Sequence, residues 1–306
     1  VRFRDEVVRD LGLLYPAIYC RATRKGEFRV NDLYKSAVFT QRNGFTRGIE
    51  GPGCDKDGNL YAVNYEREHT IGKVTPEGVC SIFLELPEGS TGNGIRFDSH
   101  GRMYIADYTG HNVLRVDMGS RDIEVFAHEA SMNQPNDIAM GADDVIYASD
   151  PNWGDSTGQM WRIEPDGSVH LLEADMGTTN GIEVSPGEDL LYVNESVQRT
   201  VWAYDLAGGV VSNKRLLIEF PDHAMDGMRC DVEGNLYITR HGKGTIAKIS
   251  PAGDLLEEIG LTGKLASNIA FGGSDGCTAY VTLQDEGNVE VFRVDAPGRA
   301  WQLAQR

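Results

Sequence analysis

Polar and apolar positions along this chain recur with a long period. Six segments share one layout: a polar residue, a short apolar stretch, an Asp/Gly-rich turn, then a strand carrying an aromatic or branched pair. They start at Glu50, Asn93, Asn136, Asn180, Asp226 and Asn268, separated by 43, 43, 44, 46 and 42 residues. Two residues on from each start stand Pro52, Ile95, Ile138, Ile182, Met228 and Ala270; four on stand Cys54, Phe97, Met140, Val184 and Cys230. That alternation predicts a strand packed between neighbours. A third strand and turn follow in most units, as at Thr70–Thr75 with Pro76-Glu77-Gly78, and at Gly244–Ser250 with Pro251-Ala252-Gly253. Four short strands and three turns need about 40–45 residues, the length of one propeller blade. The pattern therefore predicts an all-β, six-bladed β-propeller, although the Trp-Asp dipeptide of WD40 blades is absent.

The last unit, Asn268 to Arg306, has only 39 residues. An open ring would leave a bare strand edge, so a strand from the first 49 residues, Ala37–Gln41, is expected to complete the last blade. The chain then reads as one domain: an N-terminal extension over 1–49 that includes the closing strand, and the propeller over 50–306. The extension has the length to cover a pocket or to make a homodimer contact.

Composition narrows the partners. The 306 residues carry a formal net charge of −17, with 41% hydrophobic residues to build a core. Nucleic acid and anionic membranes call for a basic footprint, so neither is an expected partner. No apolar run approaches the ~18 residues of a membrane span. Five cysteines at wide spacings, with no Cys-x-x-Cys, point away from a disulfide framework or thiolate zinc site and toward a reducing, cytoplasmic setting. Val1 to Asp10 is charged rather than signal-like, and the sequon Asn194-Glu195-Ser196 reads as chance.

Chemistry concentrates at the start of each repeat, which reads Glu, Asn, Asn, Asn, Asp, Asn. Inner strands of a propeller run beside the central channel, so these six side chains converge on one mouth. Asn and Asp also begin strands as turn caps. That explanation is weak for Glu50, a poor turn former, and for Asp226, which follows Met225. Two carboxylates and several amides in a narrow channel call for a cation among them. Oxygen donors without Cys or His describe a hard divalent ion: Ca²⁺ first, then Mg²⁺ or Mn²⁺, with Fe²⁺ and Zn²⁺ as further candidates.

In order along the chain, Glu50-Gly51-Pro52, Gln134-Pro135-Asn136-Asp137, Thr179-Asn180-Gly181 with Ser185-Pro186-Gly187, Asp226-Gly227-Met228, and Asn268 with Phe271-Gly272-Gly273 form a specific series. With these motifs the sequence resembles the SMP-30/gluconolactonase/luciferin-regenerating-enzyme family of six-bladed propellers, over about Gly48 to Val294. The resemblance implies a divalent metal held by Glu50, Asn180 and Asp226, with Asn136 beside them. It leaves Asn93 and Asn268 as pocket lining or strand-start caps. Asp150-Pro151-Asn152-Trp153-Gly154 looks like the Asp-Pro-x-x-Gly segment of the bacterial branch, which implies that Asp150 and Trp153 belong to the pocket wall. Gln134 stands where sugar-binding members often have Arg, so the acyl substrate is left open.

The expected function is metal-dependent hydrolysis of a lactone, of the sugar type, by metal-activated water, with a small molecule as the partner. Asp226 is expected to take the water's proton while also serving as ligand. The alternatives are a phosphotriester or fluorophosphate hydrolase on the same site, a non-catalytic calcium-binding propeller scaffold, and a metal-free strictosidine-synthase-like condensing enzyme, which the oxygen set disfavours. Gly272-Gly273-Ser274-Asp275-Gly276 matches a nucleophile elbow, but another strand follows where that motif needs a helix.

Overall fold

A computed structural model of the chain describes residues 33–305. It holds six four-stranded antiparallel sheets, each one blade. The inner strands are Gly53–Cys54, Gly92–Phe97, Ile138–Met140, Thr179–Val184, Ala224–Cys230 and Ala266–Gly272, so every predicted repeat starts a blade. The part of the N-terminal extension before Leu33 lies outside the described residues.

Two repeated devices make the blade. Asp55, Asp98 and Asp231 each accept the backbone N–H groups of the residues two and four further on, which fixes the turn into the second strand. Ser185 performs part of this task in blade four with its hydroxyl. The second strand then buries one tyrosine per blade: Tyr61, Tyr104, Tyr147, Tyr192, Tyr237 and Tyr280, none more than 5% exposed. Burying one such ring contributes on the order of 2 kcal/mol, so the ring of blades is held at six equivalent points.

The ring closes as expected. Ala37 and Val38 pair with Val291 and Glu290 on the last strand of blade six, which is the sheet's open edge. The paired segment is shorter than Ala37–Gln41. The Phe39 and Thr40 N–H groups both donate to the single Val289 carbonyl, so the ladder stops there.

A helix that the repeat does not announce, α1 (Arg299–Ala304), packs under the ring. Together with the lower ends of the inner strands it lines a pocket of about 40 Å³ at the end of the channel opposite the mouth. Cys54, Cys80 and Cys230 carry free thiols. Cys277 is disulfide-bonded. Among the described residues no helix is long and apolar enough to cross a membrane.

Candidate active site

The inner strands bring all six predicted residues to the mouth, and a bulge shapes most of them. Between Gly92 and Ile95, Thr179 and Ile182, Met225 and Met228, and Ala266 and Ile269 the register slips. Each bulge spans a site residue and re-aims its side chain out of simple strand alternation. Close approach of neighbouring strands then demands small residues. A Cβ on Gly227 would lie 2.0 Å from the Asn268 side chain, and one on Gly94 would lie 2.7 Å from Asp137.

Glu50, Asn93, Asn136, Asn180 and Asn268 are buried, and Asp226 keeps partial exposure. Glu50 and Asp226 lie in hydrogen-bonding contact. Burial pushes the Glu50 carboxyl up to about 7, against the Gly51 N–H, the Asn268 and Asp226 contacts and the Arg96 charge, which hold it down. Asp226 is raised well above the usual carboxylate range, first by burial and then by the Glu50 charge, while the Asn180 amide opposes the shift.

The side-chain oxygens of Asn93, Asn136 and Asn180 are buried with no hydrogen-bond partner. Asn268 differs: its oxygen accepts the Ile269 N–H at 2.9 Å, the strand-start cap foreseen as one of its two roles. Buried acceptors without partners cost free energy. Three of them beside two carboxyls make a donor set that fits a hard divalent cation. Among the described residues no cluster of three or more His, Cys, Asp or Glu side chains is placed to hold a metal, so the fit rests on amide oxygens as well as carboxylates.

The wall residues divide. Asp150 is fully buried, and its carboxylate accepts from the Asn133 and Gln134 N–H groups, the Gln159 amide and the Trp161 indole. It braces the segment leading into Asn136 and presents no free oxygen. Asp107, Glu195 and Asp285 do the same before Asn93, Asn180 and Asn268, by accepting N–H groups from Thr91, Gly177 and Lys264. A carboxylate 14 to 17 residues after each of these four asparagines is the sequence signal that would have revealed this brace. Gln134 is partly exposed and Trp153 is 38% exposed. The hydroxyl of Tyr108, missed in the sequence, lies against both. All three leave the upper ends of their strands, on the face where the mouth opens.

The family profile described as the SMP-30/Gluconolactonase/LRE-like region matches residues 48–285, most of the chain. The chain belongs to the SMP-30/gluconolactonase/LRE-like family. A gluconolactonase of Zymomonas mobilis is 28% identical over 270 residues, covering 76% of this chain and 75% of that one. A pentonolactonase of Haloferax volcanii is 30% identical over 244 residues, covering 76% and 80%. The solved structure of a gluconolactonase from Xanthomonas campestris superposes with a TM-score of 0.73 at 21% identity, over 84% of this chain and 89% of that one, and shares the fold.

Proposed function

We propose that this chain is a hydrolase that opens lactone rings of the sugar type, using one divalent cation, calcium first, at the propeller mouth. Glu50, Asn136, Asn180 and Asp226 would hold the cation. The observation that carries the reading is the contact of the Glu50 and Asp226 carboxyls beside the partnerless, buried oxygens of Asn136 and Asn180. Relatives named for gluconolactone and pentonolactone hydrolysis support the substrate class.

When bound, the cation supplies Lewis-acid polarisation of the acyl oxygen and acidifies water. The chain's own residues do the rest. Asp226 alone among the mouth carboxyls keeps exposure, so its carboxylate oxygen is the one that can take a proton from an attacking water. Glu50 is shielded and tied to the Gly51 N–H, which suits a fixed ligand. Asn180 spends its amide N–H on Asp226 and keeps its oxygen for the centre. Tyr108, Gln134 and Trp153 offer a hydroxyl, an amide and a ring face to a polyhydroxylated ring lying over the mouth.

Proton release from a panel of hexono- and pentonolactones, run beside a phosphotriester, tests the assignment. Turnover of at least one lactone class, lost in Asp226→Ala, is the expected result. Faster hydrolysis of the phosphotriester, or full activity in Asp226→Ala, would overturn it.

A further inference from the structure

Beneath the mouth the inner strands carry a second tier of charge that the blade repeat does not mark. Asp137 is fully buried in blade three. Its Oδ1 accepts from Arg96 Nη2 at 3.1 Å, Arg229 Nη2 at 3.0 Å and the Ile138 N–H at 2.9 Å, and its Oδ2 accepts from Arg229 Nη1 at 2.7 Å. Arg96 comes from blade two and Arg229 from blade five, so the cluster bridges the channel from three sides. Both arginines are at most 5% exposed, and each also donates to a carbonyl of its own strand, Ile95 or Met228. In the same tier of blade four, Glu183 faces Arg299 of α1 at 3.4 Å, and Arg299 is further bound to Glu188.

Asp137 directly follows Asn136, and Arg96 and Arg229 stand three residues after Asn93 and Asp226 on their strands, so the cluster lies directly beneath the mouth. We infer that Arg96, Asp137 and Arg229 are positioning residues that form the electrostatic floor of the cation site and set how tightly Glu50 and Asp226 hold a divalent ion. This rests on the cation reading above, and extends it to residues that touch neither cation nor substrate.

The inference has a signed consequence that a mere brace lacks. A divalent cation is repelled by a buried guanidinium and attracted by a buried carboxylate. Removing a guanidinium charge should therefore tighten cation binding, and removing the Asp137 charge should weaken it. Both changes break the same ion pairs, so a purely structural role moves affinity the same way in both.

Calorimetric titration with calcium chloride at about pH 8 reads this without any substrate. Arg96→Gln and Arg229→Gln should bind calcium roughly three- to tenfold more tightly, and Asp137→Asn more weakly by a similar factor. Arg96→Lys keeps the charge and should stay near the wild-type affinity, with thermal melts confirming that each variant is folded. Weakening in all four variants, or no shift in any, would overturn the inference. Wild-type protein that binds calcium yet opens no lactone removes the lactonase reading, while the opposite shifts still decide this one. A wild-type protein that takes up neither calcium nor any other single divalent ion overturns both.

Discussion

Two tiers of one channel, one to three residues apart along the chain, use buried polar chemistry in opposite ways. At the mouth, Asn93, Asn136 and Asn180 keep oxygens with no partner, and two carboxyls press together. In the floor, both Asp137 oxygens are filled by Arg96 and Arg229. A buried network with every valence filled rigidifies a fold, whereas one left open is a cost that something else must offset. Open valences in the upper tier mark where a ligand belongs, and filled ones in the lower tier mark what keeps the upper tier in place. The difference also separates residues within the mouth. Asn268 spends its oxygen on its own strand, while Asn93 keeps its buried oxygen without a partner.

Breaking the upper tier at Asp226 should have the largest effect. Asp226→Ala is expected to lower lactone turnover by about 10³-fold or more, since it removes proton acceptor and ligand together. Its melting temperature without cation should hold or rise, because a carboxyl that burial disfavours is removed. Steady-state kinetics and a thermal melt check the two halves.

Breaking the lower tier should show as stability. Asp137→Ala leaves two buried guanidiniums without their carboxylate, and should cost about 3–5 kcal/mol in denaturant unfolding. A loss under about 1 kcal/mol would mean that the floor is far less buried in solution than its 0% exposure indicates.

The tiers should also differ in their response to pH. Burial raises Glu50 to about 7 from its ordinary 4.5, and Asp137 likewise to about 7 from 3.8, even against Arg96. Without cation the folded chain holds protons that the unfolded chain releases. Stability then falls as pH rises from the unfolded pKa values through the folded ones. Melting temperature after chelation should drop between about pH 5 and pH 8, and added calcium should recover the part owed to Glu50 and Asp226.

The smallest effect sharpens the contrast inside the mouth. Asn93→Ala should weaken calcium binding with little loss of stability. Asn268→Ala should cost about 1 kcal/mol of stability with a smaller change in affinity. Equal effects on calcium binding would erase the distinction drawn between them.

The upper tier was legible in the sequence because it repeats. One polar residue begins each blade, and a spacing of 42 to 46 residues carries Glu50, Asn93, Asn136, Asn180, Asp226 and Asn268 to one place. The blade core was legible for the same reason. The lower tier has no repeat to betray it. Asp137 occupies the slot that Gly51, Gly94, Gly181 and Gly227 fill in four other blades. Arg96, Glu183 and Arg229 sit on strands read as apolar, and the bulges at the site residues shift the phase of the alternation. Asp150 lies buried within the strand Ile146–Asn152 with its carboxylate filled by neighbouring donors, and the motif that named it gave no sign of that bracing role. Helix α1 has no capping side chain and only 6 residues, too little pattern for a sequence to announce.

The central claim is that the mouth works by holding a divalent cation, and chelation with restoration tests it most directly. Protein stripped with EDTA should lose lactone turnover measured by proton release, and regain it when calcium or another single divalent ion is returned. Undiminished turnover by the stripped protein would contradict the account.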